Sequence, residues 1–264
     1  MPVWISICLL GIIEGITEFL PISSTAHLLI VEHWLPRQSD LFNIVIQSGA
    51  VLAVLPLFPQ RIKQFVFQWR QRETQLYALK IAAAFGVTGV GGLLLEKFGF
   101  ELPETLSPVA WAILVGGFAF LAVEWWLRGR NFDDSVTWTI AIAVGASQLI
   151  AAVFPGASRS GTTILVMLLF GLSRPAATEF SFLVGIPTML AAGGLKIYKA
   201  LAHPVSQASA QQWDMVLLGF FVSAVVSFVV VKWLLHYVQS HTFSIFGWYR
   251  ILLGMVLFAL LIIV

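Results

Sequence analysis

Six apolar stretches, at 41–58, 76–95, 109–127, 176–195, 215–235 and 248–264, approach the roughly 20 residues that a helix needs to cross a hydrocarbon core of about 30 Å. The first and last of them are on the short side. A 264-residue chain with so many candidate spans is expected to be a polytopic, all-α membrane protein. Its composition excludes a water-soluble globule: 59% of residues are hydrophobic and 11% charged, where a soluble domain carries roughly 25% charged residues. A net charge of +2, from 15 basic and 13 acidic side chains scattered along the chain, provides no basic stripe, which removes nucleic acid as a partner. The single cysteine, Cys8, cannot form an internal disulfide. No basic region precedes Val3, and Glu14 and Glu18 interrupt the first apolar run, so that run is read as mature structure rather than a signal peptide.

Two further regions behave differently from the six spans. Each is a long apolar run, a polar cluster containing proline, and a second run too short to cross: 3–20, Pro21 to Thr25, 26–35; and 136–154, Pro155 to Thr163, 164–172. Helices broken at membrane depth are tolerated only where protein or a water-filled cavity satisfies the freed backbone groups, so two breaks point to one shared internal site. The breaks align at an offset of 134 residues, Pro21 on Pro155 and Ser24 on Ser158, and each is followed by three candidate spans. That is the outline of an internal repeat, about 1–130 and 131–264, within a single membrane domain.

Two arrangements follow. If each broken region is a re-entrant hairpin, the three spans between them invert the second repeat, and the breaks meet from opposite faces. If 3–20 and 136–154 cross completely, the repeats are parallel. Arg61, Lys63, Arg70 and Arg72 make loop 59–75 cytoplasmic, and Arg128 and Arg130 do the same for 128–135, in either arrangement. Segment 96–108, with Glu96, Glu101 and Glu104, is then external. Lys196 and Lys199 are cytoplasmic only in the parallel arrangement, which this count mildly favours. Tryptophans near span ends, such as Trp111, Trp125, Trp126, Trp213, Trp233 and Trp248, fit interfacial belts, and Ala202–Gln212 has the composition of a mobile connection.

The polar residues of the breaks carry the chemistry. Glu14 and Glu18 are four apart, so both carboxylates project from one helix face. Two anions in an apolar run need a partner, and the candidates are a divalent cation, His27 or Arg159. The second break offers glycines at 156 and 161, hydroxyls on Ser158, Ser160, Thr162 and Thr163, and one guanidinium, Arg159. Glycines admit a ligand to the backbone, the short helix that follows aims its N-terminus at the break, and Arg159 supplies a planar fork of donors, together an anion site suited to phosphate. In the first break, Ser24 and His27 are three apart, a hydroxyl and a base on one face if the segment is helical. In a membrane interior this inventory describes phosphoester or diphosphate chemistry on a lipid. Elsewhere, Glu124 with Arg128 reads as an i,i+4 pair at a helix end, and Gln47 and Glu179 are candidates to line the pocket.

Glu14-Gly-Ile-Thr-Glu18-Phe-Leu-Pro-Ile-Ser-Ser-Thr-Ala-His27 and Pro155-Gly-Ala-Ser-Arg-Ser-Gly-Thr-Thr163 resemble the two signature motifs of the undecaprenyl-diphosphate phosphatases, the bacitracin-resistance family. The likeness extends to Val45–Val54 and Glu179–Phe182 and so covers most of the chain; Ala26 stands where many members have glycine. It implies six transmembrane helices plus two re-entrant helical hairpins in an inverted-topology repeat, in a bacterial inner membrane, with a pocket opening toward the periplasm. It implies hydrolysis of a polyprenyl diphosphate to the monophosphate. It places the acidic motif on Glu14 and Glu18, which would hold a divalent cation (Mg or Ca). Ser24 becomes the candidate nucleophile with His27 beside it, and phosphate binding falls to Gly156, Ser158, Arg159, Ser160 and Thr163. A transporter or lipid flippase using the same midplane anion site is the alternative, since broken helices in inverted repeats are also transporter anatomy. The sequence leaves a homodimer open.

Overall fold

The computed structural model describes residues 2–31, 34–36, 38–100, 106–202 and 213–263. Glu101, Glu104 and most of the connection 202–212 lie outside them, as do the side chains of Lys196 and Lys199. The order is α1 (Val3–Thr17), α2 (Ser24–Val31), α3 (Asp40–Val54), α4 (Pro59–Phe67), α5 (Arg72–Lys97), α6 (Leu106–Trp126), α7 (Trp138–Val153), α8 (Arg159–Leu169), α9 (Arg174–Ala202), α10 (Trp213–Tyr237) and α11 (Ser244–Ile263). Helix α3 opens where the Ser39 hydroxyl accepts from Phe42 N at 3.1 Å, and α7 where Thr137 accepts from Ile140 N at 3.2 Å, each satisfying an orphan donor of the first turn. Among the described residues five helices, α5, α6, α9, α10 and α11, are long and apolar enough to span a membrane. The sixth span, α3, runs to Leu57 and bends by 79° into α4, with Pro59 opening the new helix.

The surface as well as the core is apolar. Val90, Phe118, Val229 and Leu252 lie exposed on the long helices, while Glu14, Glu18, Glu124, Ser158, Ser160, Thr163 and Arg250 are buried. Such a molecule puts apolar side chains against lipid and keeps its ionisable groups inside the bundle.

Packing follows a two-fold exchange. Helix α1 lies on α10 and α7 on α5, α6 pairs with α11, and α3 with α9. The α1–α10 contact is close because Gly11 and Gly15 face Gly219 and Ser223; a Cβ on Gly15 would come 2.7 Å from the Ser223 carbonyl oxygen. The matching α7–α5 contact uses Gly145, where a Cβ would meet the Ala84 carbonyl oxygen at 2.5 Å.

Both short-helix pairs double back. Leu28, Val31 and Leu35 return to the cluster of Ile7 and Leu10 from the start of α1. In the second half, Asp133 N donates to Gly171 O at 3.0 Å and Ser173 N to Asp133 O at 2.8 Å, so the chain leaves and re-enters α7–α8 at the same end. Glu124 fixes that end: its carboxylate takes Arg174 Nε at 2.9 Å and Phe243 N at 2.7 Å, joining the close of α6 to the starts of α9 and α11. The expected Glu124–Arg128 pair is therefore replaced by an ion pair with Arg174, because the turn after α6 brings the start of α9 onto the carboxylate. The parallel arrangement that the lysine count favoured requires residues 128 and 172 at opposite ends; this knot of contacts holds the two ends of α7–α8 together, as the hairpin arrangement expects.

Candidate active site

The first break begins earlier than its proline. Helix α1 ends at Thr17, and Glu18 caps it, donating its N–H to Glu14 O at 3.0 Å. Ser23 then takes φ +73°, a left-handed conformation that turns the chain sharply enough for α2 to start at Ser24. In the second break Gly156 has φ +96° and Ser158 φ +69°, and α8 starts at Arg159. Ser158 caps it, its hydroxyl accepting from Gly161 N at 3.2 Å. Residues 159–163, expected inside the break, are the first turn of α8, since this cap lets the helix begin at the arginine. The left-handed caps make Ser23, rather than Ser24, the counterpart of Ser158: the second break holds one more residue, and the offset grows from 134 at the prolines to 135 beyond them. Ser24 and Arg159 consequently stand at matching positions, the first residue of each short helix.

The two breaks meet. Ser160 Oγ, at the start of α8, donates to Leu20 O in the first break at 3.1 Å. Between them lies a cavity of about 150 Å³. Glu18, Ser23, Ser24 and Thr25 line it from the first break, Gly156, Ser158 and Arg159 from the second, with Gln47, Ala151 and Met189 closing it.

Ser24 Oγ donates to Glu18 Oε2 at 2.5 Å. The other carboxylate oxygen, Glu18 Oε1, is 3.7 Å from Arg159 Nη2, an ion pair beyond hydrogen-bonding distance. All three nitrogens of the buried Arg159 guanidinium lack a hydrogen-bond partner among the described residues. A desolvated guanidinium with its donors unused is a binding group for an anion. Glu14 is 1% exposed and sits against Glu18, with Oε2 likewise unpartnered.

Other expected site residues turn elsewhere. His27 hydrogen-bonds to Ser23 and Tyr249 rather than to Ser24. Its Nδ1 lies 2.7 Å from Ser23 O; a carbonyl only accepts, so Nδ1 carries the proton, and in the neutral ring Nε2 accepts from the Tyr249 hydroxyl, also at 2.7 Å. The Thr163 hydroxyl is engaged with Ser181 at 2.6 Å and Ser160 with Leu20, and neither lines the cavity. Gln47 reaches the cavity, whereas Glu179 pairs with Arg61 at 2.6 Å and accepts from Tyr77. Two neighbours on α11 belong to neither motif: Tyr249 reaches His27 on α2, and Arg250 reaches Pro21 and Gly156 in the two breaks. Tyr249 leaves no signal in the sequence; Arg250 leaves one, a lone charge in the last apolar span.

Fold and cavity define a polytopic helical membrane protein whose internal site sets a serine and carboxylate against an arginine with unused hydrogen-bond donors. The model of a family described as "Bacitracin resistance protein BacA" matches residues 7–256, and the chain belongs to that family. A Rhizobium etli (strain CFN 42) protein named undecaprenyl-diphosphatase is 50% identical over 255 residues, covering 96% of each chain. A Xanthomonas euvesicatoria protein of the same name is 50% identical over 254 residues, 95% of this chain and 94% of its own.

Proposed function

We propose that this protein hydrolyses undecaprenyl diphosphate to undecaprenyl phosphate and inorganic phosphate, recycling the lipid carrier of cell-wall synthesis and so conferring bacitracin resistance. The observation that carries the reading is the 2.5 Å hydrogen bond from Ser24 to Glu18, made in a cavity that also presents the unused donors of Arg159. The family and its similarly named relatives support it.

Arg159 binds the diphosphate through its fork of donors, beside the first turn of α8. Ser24 Oγ attacks the terminal phosphorus while its proton passes to Glu18; the Oγ–P bond forms as the bridging P–O bond breaks, releasing the lipid monophosphate. Glu18 gives that proton to the departing bridging oxygen; ionised again, it takes a proton from the water that attacks the phosphoserine phosphorus and passes it to Ser24 Oγ as the Oγ–P bond breaks and inorganic phosphate leaves. Arg159 keeps its contacts as charge moves onto the bridging oxygen, and so stabilises the transition state. His27, held by Ser23 and Tyr249, positions the first turn of α2 rather than accepting the serine proton.

Glu14 and Glu18 suit a hard divalent cation such as Mg²⁺ or Ca²⁺: two carboxylates lie together, and Glu14 Oε2 is buried with no partner. No group of three His, Cys, Asp or Glu side chains able to hold a metal occurs among the described residues, so phosphate oxygens and water would complete the shell. Such an ion would offset the charge of the diphosphate. The flippase alternative leaves the Ser24–Glu18 pair without a task.

The basic residues Arg61, Lys63, Arg70, Arg72, Arg128 and Arg130 support a cytoplasmic side for their loops, with the first hairpin and the mouth of the cavity on the periplasmic side of a bacterial inner membrane. Inorganic phosphate release from a polyprenyl diphosphate by the purified protein, with and without chelator, tests the reading. Wild type should release phosphate only with divalent cation, and Arg159→Ala should lose at least about a hundredfold in rate. No release by folded wild-type protein with cation present would overturn it.

A further inference from the structure

Arg250 lies inside α11 and is fully buried. No carboxylate pairs with it among the described residues. A buried guanidinium without a counter-ion is costly unless its donors are satisfied. Here backbone carbonyls satisfy them: Nε donates to Ile113 O at 3.3 Å, Nη1 to Pro21 O at 3.1 Å, and Nη2 to Ala112 O at 3.0 Å and Gly156 O at 3.1 Å.

The identity of those carbonyls matters. Pro21 belongs to the first break and Gly156 to the second, 135 residues apart, and each is a carbonyl that an intact helix would have satisfied. The other two belong to α6, which serves as an anvil. Helix α6 is notched to admit the side chain: a Cβ on Gly116 would come 2.2 Å from Arg250 Nη2 and 2.7 Å from Cζ. Ser24 is three residues beyond Pro21, and Arg159 three beyond Gly156. One planar fork thus spans the two segments that deliver the candidate nucleophile and the candidate phosphate binder.

We propose that Arg250, seated in the Gly116 notch, is the positioning residue that locks the two helix breaks together and sets Ser24 against Arg159. Arg250 does not itself line the cavity and acts through backbone carbonyls, one of them that of the lining residue Gly156. A lysine cannot replace it, because one ammonium cannot reproduce a rigid fork reaching four acceptors on three segments. The inference rests on the phosphatase reading for its consequence in turnover, while its structural content stands without substrate.

The test reads both. Amide hydrogen exchange on the intact detergent-solubilised protein, with no substrate, follows peptides spanning 18–24 and 154–161, where Ile22 N and Ala157 N are protected by local hydrogen bonds. In Arg250→Met both peptides should exchange about tenfold faster together, the scale of one lost charge-assisted bond, with the α5 and α10 cores unchanged. Gly116→Ala keeps the arginine but fills its seat and should give the same paired loss, which carries the test if Arg250→Met does not fold. Arg250→Met removes the guanidinium atoms that a Cβ on Gly116 would meet most closely, so Gly116→Ala should add little to it. In phosphate release, kcat should fall about a hundredfold with a smaller change in KM, and Arg250→Lys should not rescue it. Loosening of one break alone, uniform loosening of all helices, additive effects of the two substitutions, or full rescue by lysine would each overturn the proposal. Inactive wild-type protein with the paired exchange pattern intact would instead overturn the phosphatase reading and leave the lock standing.

Discussion

Ser24 and Glu18 share a hydrogen bond of 2.5 Å while His27 faces away toward Tyr249, and this division of partners makes a specific claim about roles. Ser24→Ala should reduce turnover by at least about a hundredfold, and Glu18→Gln, which keeps the shape but cannot take the serine proton, by a similar factor. Steady-state phosphate release checks both. Undiminished turnover in Ser24→Ala would mean that water attacks directly and that Ser24 only orients phosphate. His27→Ala should cost less than either, since its contacts hold the turn and not the reacting oxygen.

Helices α1 and α7 owe their place to small residues at their contacts with α10 and α5. Gly15 admits the backbone of α10, where a Cβ would meet Ser223 O at 2.7 Å and Val226 Cβ at 2.8 Å. Gly15→Leu overpacks that contact and should destabilise the protein by about 1–3 kcal/mol. Gly86→Leu in α5, where a Cβ would meet nothing within 4 Å, serves as the control. Thermal unfolding in detergent should show a clear fall for the first and little change for the second; equal falls would remove the packing argument. The bend after α3 has a separate cause. Proline at position 59 starts α4 afresh, and α4 carries Arg61 to Glu179 while exposing Val66 and Phe67, an amphipathic pattern suited to the membrane interface.

Connectivity across the bundle turns on the knot at Glu124, Asp133, Ser173 and Phe243, which sets the ends of α6, α8 and α10 on one face. Single cysteines at Arg128 and Gln239, in a Cys8→Ser background, should therefore react with an impermeant thiol reagent from the same side of the membrane. Labelling from opposite sides would require α7–α8 to cross and would break the inverted arrangement.

Span count, the two broken regions and the acid, serine and arginine residues are legible in the sequence through local signals: apolar run length, proline within an apolar run, and charge where charge is expensive. These are properties of a segment in its solvent, so a segment's own residues suffice to read them. Three features are not legible there, and they share a reason. The partner of Ser24 is Glu18 and not the histidine three residues on, because a left-handed Ser23 swings the chain back over the end of α1. The doubling back of α7–α8, which the lysine count does not anticipate, is held by contacts between loops distant in sequence. Arg250 stands in the sequence only as an isolated charge, and its four acceptors come from residues 21, 112, 113 and 156. Residue type and spacing determine which chemistry a chain can hold; which groups meet depends on backbone direction at a few turns and on packing between remote segments, and only the folded bundle decides that.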